Sequence, residues 1–358
     1  MPSLKEIKGR INSISSTLAI TSAMKMVASA KLQKAQMAIQ NMLPYERRLY
    51  SMLLDLMGAM NISAAASEDG SVRGSGSAER GFDQSGDRLS LSNRHDLAGM
   101  DGAYSLMAQR EVRKVAIVAF ASNSSLCGAF NSNAIREATA VINEYRASGL
   151  RDSDIVVYSV GRKMAEAMRK LGFPSPADFT KMSDSPSYEA ASALAQELLD
   201  GFVSGRFDKV ELVYNHYKST SSQPTTRQTY LPLSLADATA DLQAGKIADS
   251  ASESDTNRGA EPVGAPVVRQ GSPTTEDLIV EPSKEALIAT LLPKVIRLRV
   301  FTTLLDSTAA EQAARTVAMQ LATDNGNDLL QELTLEYNKG RQQKITSEIL
   351  DLVGGSMQ

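Results

Sequence analysis

The chain has 358 residues, with 38 Lys and Arg against 41 Asp and Glu, so its net charge of −3 gives no global field for nucleic acid or an anionic membrane. One cysteine, Cys127, excludes an internal disulfide and a Cys-based zinc site, and two histidines, His95 and His216, leave little for a histidine metal centre. Tryptophan is absent, aromatics are 5% and methionines number 15, which fits helical rods better than a large mixed core.

The first predicted element is a long helix. Leu4, Ile7, Ile11, Ile14 and Leu18 open a four-three apolar repeat, and Ala28, Leu32, Ala35, Ile39 and Met42 close it. Thr21 and Lys25 fall on the same register. That spacing draws one narrow stripe along a helix, the seam of a coiled coil. Ser3 and Glu6 have capping-box spacing at its start. Pro44 is predicted to kink or break it, and the pattern resumes through Arg48, Leu49, Met52, Leu53 and Leu56. Residues 1–50 hold eight Lys or Arg against two Glu, a solvated face or one that docks on acidic partners. Residues 61–110 lose periodicity in Ser, Gly, Ala and Asp and read as a flexible insertion.

Order returns at Val112. Val115–Phe120 reads as a buried strand, followed by the loop Ser122–Gly128 and a helix through Ile135, Ala138, Val141, Ile142 and Tyr145. Asp154–Val160 is a second strand, Arg162–Leu171 a second helix and Tyr188–Val203 a third. Val210–Tyr217 is another strand, and Thr225–Leu233 reads as one more. Strands alternating with helices of this length predict a mostly parallel sheet with right-handed crossovers.

Residues 235–281 form a second polar stretch with nine acids against three bases. Pro282-Ser283 then opens a long C-terminal helix. Its apolar positions include Leu287, Leu291, Leu304, Ala310, Ala314, Val317, Leu321, Leu330, Leu333, Tyr337, Ile345, Ile349 and Leu352. Pro293 bends it near its start, and Gly354-Gly355 is predicted to end it. The expected fold class is α/β: an antiparallel coiled coil made by both termini, with a Rossmann-like body between. The expected units are 1–60, 61–110, 111–234, 235–281 and 282–358.

Enzyme chemistry is not evident. No G-x-x-x-x-G-K-[ST] loop occurs. Gly161-Arg-Lys163 after a strand is a weak phosphate signal beside its reading as surface charge, and the 122–128 loop reads as a tight turn before an anion nest. No catalytic residue, cofactor or metal is expected. No apolar run approaches the roughly 18–20 residues that cross a bilayer, and the opening residues lack a signal core, so an intracellular protein that does not enter the membrane is expected.

Two blocks carry a resemblance. One is Ile20-Thr-Ser-Ala-Met-Lys-Met-Val-Ala-Ser-Ala-Lys-Leu32. The other is Ala313-Ala-Arg-Thr-Val-Ala-Met-Gln-Leu-Ala-Thr-Asp-Asn325, continuing as Leu335-Glu-Tyr-Asn-Lys-Gly-Arg-Gln-Gln-Lys-Ile-Thr-Ser-Glu-Ile349. Both resemble the γ subunit of F-type ATP synthase, the central rotor shaft, and the order of helix, body and helix agrees. The resemblance covers nearly everything except the two polar stretches. It departs at Asn123-Ser-Ser125, where the family usually carries Asp-Arg-Gly before Leu-Cys-Gly. The plant family's redox control needs a cysteine pair, which this chain lacks.

The resemblance implies a non-catalytic subunit that passes torque between a membrane ring and a catalytic hexamer of a proton-translocating synthase. It implies the α and β subunits of the hexamer, the ε subunit and the membrane c-ring as partners. It also implies a peripheral place on the cytoplasmic face of the bacterial inner membrane. Met24, Lys25, Arg315, Arg341, Gln342 and Thr346 match the family's coupling positions. Lys25, Gln342 and Thr346 are also polar where packing alone would choose Leu, and register control is the plainer account of that. A static coiled-coil scaffold and a nucleotide-binding α/β enzyme remain the alternatives.

Overall fold

The computed structural model describes residues 3–59, 106–107, 109–233, 281 and 283–356. The predicted flexible insertions therefore lie almost wholly outside the described residues. Two helices dominate: α1, Leu4–Ala59, and α6, Lys284–Ser356. At about 1.5 Å per residue, α6 is roughly 110 Å long.

The helices run antiparallel in one register. Leu4 lies against Gly340, Leu18 against Gly326, and the Thr323 hydroxyl donates to Thr21 Oγ1 at 3.1 Å. Leu32 and Ala35 then pack on Ala309 and Ala313. Every predicted seam position from Leu4 to Met42 is buried or partly buried.

The α6 seam differs from the predicted one. It runs through Met319, Thr323, Gly326, Leu330, Leu333, Tyr337 and Gly340, again four and three apart. Val317, Leu321, Ile345, Ile349 and Leu352 are exposed instead. Hydrophobicity selected those five, whereas the seam there uses Thr and Gly so that the helices approach closely. An added Cβ on Gly326 would stand 2.6 Å from Leu18 Cδ2.

Two predicted helix breaks also fail. Pro44 lies inside α1. Pro44 and Gln40 are both exposed, so the carbonyl that loses its N–H partner meets water, while Leu49, Leu53 and Leu56 bury beyond it. Likewise α6 continues through Gly354 and Gly355. A glycine stops a helix by turning left-handed, and among the described residues positive φ is confined to Leu126 and Gly128, 149, 161, 172 and 205.

The body holds β1 (Val115–Phe120), α2 (Phe130–Ala147), β2 (Ile155–Val160), α3 (Arg162–Lys170), α4 (Thr180–Asp184), α5 (Tyr188–Val203), β3 (Lys209–Asn215) and β4 (Thr225–Leu231). The short α4 had no sequence signal. Strand order is β2-β1-β3-β4, with the first three parallel and β4 antiparallel to β3. No helix separates β3 from β4, and without a crossover the chain must return antiparallel.

Alternation along β1 divides the core. Val115, Ile117 and Ala119 face α2 and α3 through Ala138, Val141, Met164 and Met168. Ala116, Val118 and Phe120 face Leu194, Leu198 and Phe202 of α5, together with Leu49, Leu53 and Leu56 of α1 and Leu292, Ile296 and Val300 of α6. The body is thus fastened to one end of the rod, and the rest of the rod projects.

The register yields a direct test. Replacing Thr21 and Thr323 with cysteine should give a spontaneous disulfide, because the hydroxyls already sit 3.1 Å apart and bridged cysteines need Cβ atoms about 3.5–4.5 Å apart. Non-reducing gels should show the shift. Crosslinking of the introduced cysteines to the body instead would reject the antiparallel rod.

Candidate functional site

Three surfaces of the rod hold the residues singled out in the sequence. The first is a collar on its projecting part. Ile20, Met24 and Val27 stand at helical spacing on α1 and are all exposed. The register sets Val317 and Leu321 of α6, also exposed, at the same height. Here the seam holds Thr21, Lys25, Ala28, Met319 and Thr323, while further apolar side chains stand outside it. Lys25 is partly buried on the seam side between Thr21 and Ala28. Sequence reading missed this collar because it assigned Val317 and Leu321 to the seam. Extending the four-three count back from Leu333 would have found it.

The second surface is the tip. α1 begins opposite Gly340, so α6 continues alone from Arg341. Residues 341–350 are all exposed, and Ile345 and Ile349 pair with nothing described. Arg341, Gln342 and Thr346 lie here. Thr346 donates its hydroxyl back to the Gln342 main-chain carbonyl at 2.9 Å, and the Gln342 residue is exposed. The tip residues and Met24/Lys25 are not brought together. They stand roughly 30 Å apart along the axis at 1.5 Å per residue.

The third surface is the junction between body and rod. Arg315 lies there, its side chain only 16% exposed. Its guanidinium donates to Ser125 O at 2.8 Å, Ser124 Oγ at 2.9 Å and Glu311 Oε1 at 2.6 Å. Burial pushes the Glu311 carboxyl above its usual range against the pull of Arg315. Ser122, Asn131 and Leu126, with its left-handed φ of 68°, shape the loop that Arg315 holds. On the neighbouring loop, Asp306 bonds His216 Nδ1 at 2.6 Å and accepts from the Tyr217 N–H at 2.8 Å. That carboxylate holds the imidazole above its usual pKa. Tyr217 Oη accepts from Gln36 of α1 at 2.6 Å. His216, Tyr217 and Asp306 had not been singled out, since nothing local in the sequence links residues 90 apart.

Doubly wound sheets take ligands outside the carboxyl ends of their strands, where the strand order switches. Here that position is filled by α6: Ala310 packs on Cys127 and Phe130, which follow β1, and Asp306 bonds the residues that follow β3. A nucleotide-binding enzyme would need that crevice open. No described helix is long and apolar enough to cross a membrane.

A projecting two-helix rod with an exposed apolar collar, carrying a body whose strand ends are covered by α6, defines a shaft protein. The ATP synthase family model matches residues 3–357. The ATP synthase gamma chain of Phocaeicola vulgatus is 46% identical over 357 residues, with 100% of both chains covered. That of Bacteroides thetaiotaomicron is 44% identical over 358 residues, again with 100% of both. A chain in the Euglena gracilis mitochondrial ATP synthase (OSCP/F1/c-ring, rotational state 3) shares the fold, with a TM-score of 0.52 at 19% identity over 99% of this chain and 93% of that one. The chain belongs to the ATP synthase gamma chain family.

Proposed function

We propose that this chain is the central-stalk rotor of a proton-translocating F-type ATP synthase, passing torque between a membrane c-ring and a catalytic hexamer of α and β subunits. The observation that carries it is the projecting two-helix rod in one register, fastened to its body at one end only. A rod of two unlike helices is asymmetric, so three identical catalytic subunits around it meet three different faces. Their nucleotide affinities then differ, and rotation moves the differences round. The catalytic residues belong to those partners. The body, with the ε subunit beside it, faces the c-ring, on the cytoplasmic face of the bacterial inner membrane. Met24 and Lys25 act at the collar and Arg341, Gln342 and Thr346 at the tip as coupling contacts, while Arg315 acts through the loop it holds. The units are 1–60, 61–110, 111–234, 235–281 and 282–358, and Leu106 of the second packs in the body's core.

Reconstitution tests this. The purified chain should copurify with the hexameric ATPase; a bound nucleotide on the isolated chain, with no hexamer association, would sink the reading. In the reconstituted complex, Gln342→Leu with Thr346→Leu should leave assembly intact, because both residues are exposed. Each hydrogen bond to a partner loop is worth roughly 0.5–1.5 kcal/mol, so multisite ATP turnover should fall about threefold to tenfold.

A further inference from the structure

The body touches the rod in two ways. The lower contact is the shared apolar core. The upper contact covers residues 306–315 of α6, and its apolar part is made of small side chains, Ala310 and Ala314 against Cys127, Phe130 and Tyr217. Alanines present no ridges, so this surface alone offers little resistance to a helix rolling about its own axis. Directional hydrogen bonds do resist rolling, because they weaken steeply as their angle opens.

Those bonds are placed at both edges. At about 100° per residue, Ala310 and Ala314 lie roughly 40° and 80° round from Asp306, and Arg315 lies about 180° round. Asp306 marks the edge beside α1, where Tyr217 also receives the Gln36 amide. Arg315 marks the opposite edge, anchored to the other body loop through Ser124 and Ser125. Rolling in one sense stretches the Asp306 bonds, and rolling in the other stretches those of Arg315. Both side chains are mostly buried, Asp306 at 18% and Arg315 at 16% exposure, so water competes weakly for either.

We propose that Asp306 and Arg315 are paired torsional stops, positioning residues that keep α6 from rolling against the body when torque passes between them. The inference rests on the rotor reading and adds to it the residues that hold the drive rigid. Glu311 supports one stop by fixing the Arg315 fork, and Tyr217 supports the other by tying the same loop to both helices.

The test is torsional stiffness in the intact complex. The catalytic hexamer is fixed to a surface and a bead is attached to the body through Lys170→Cys, an exposed site far from the buried Cys127. Angular variance of the bead is recorded with the rotor stalled. Asp306→Ala with Arg315→Ala should raise that variance at least twofold. The near-isosteric Asp306→Asn and Arg315→Lys variants keep the fold and should each raise it less, skewing the excursions toward the side of the weakened stop. Variance equal to the parent's in the assembled double variant overturns the inference and leaves the rotor reading standing. A parent chain that neither assembles nor rotates overturns both.

Discussion

Replacing Gly161 with alanine should abolish the folded body. Gly161 links β2 to α3 at φ 98°, where side chains are rarely tolerated. An added Cβ would stand 2.0 Å from the Ala121 carbonyl oxygen and 2.8 Å from its carbon. Both are backbone atoms, and the Ala121 N–H is tied to Val160 O at 2.9 Å, so neither strand end can retreat. Strain at such a φ costs about 1–3 kcal/mol and overpacking about 1–3 kcal/mol more. The sum, about 2–6 kcal/mol, reaches the lower end of the whole stability of an ordinary domain, about 5–15 kcal/mol. Gly149 supplies the control, since its φ of 97° is nearly the same but nothing lies within 4 Å of its added Cβ. Gly149→Ala should therefore shift the urea midpoint modestly, and Gly161→Ala should leave the chain insoluble or unfolded. Equal shifts for the two would show that the close approach to Ala121 carries no cost.

The second large effect is expected at Glu211. This β3 carboxylate is 1% exposed and receives Arg227 Nε at 2.7 Å, Lys209 Nζ at 2.7 Å and the Tyr145 hydroxyl at 2.6 Å. Burial alone would raise its pKa, but the bonds from Arg227, Lys209 and Tyr145 outweigh burial and hold it below the ordinary 4.5. Glu211→Gln removes the charge and leaves two partly buried cations facing an amide, a change that costs about 3–5 kcal/mol when one partner of a buried pair is lost. The pH dependence follows in sign. A lowered folded pKa means the contribution is present above pH 4.5 and is lost as pH falls through the lowered value. The parent should lose stability on acidification through that window, and the Gln variant should lose less. Parallel stability curves from pH 7 to 3 would remove Glu211 from the account.

The sequence carried α1 well because its seam is written in Ile, Leu and Ala at four-three spacing. It carried β1, β2 and β3 because each is a short, mostly apolar run between turns, and β4 through its β-branched and aromatic residues. It misread α6, where the seam positions Thr323, Gly326 and Gly340 look like breaks and the outward Val317, Leu321 and Ile345 look like core. Side-chain volume, not hydrophobicity, decides a seam where two backbones approach closely. The junction was the least legible part. Arg315 was matched by family likeness, but its partners Ser124 and Ser125 sit 190 residues away, and no local pattern encodes a contact of that span.

The core that joins the lower rod to the body has a consequence for how the chain is made. Leu49, Leu53 and Leu56 leave the ribosome long before Leu292, Ile296 and Val300, which form part of the surface that covers them. No portion of the chain that stops short of α6 can close this core, because α6 supplies its last wall. Until α6 emerges, the nascent chain therefore displays the apolar lower end of α1 and one bare face of its sheet. Apolar surface exposed in this way makes an incomplete chain prone to aggregate.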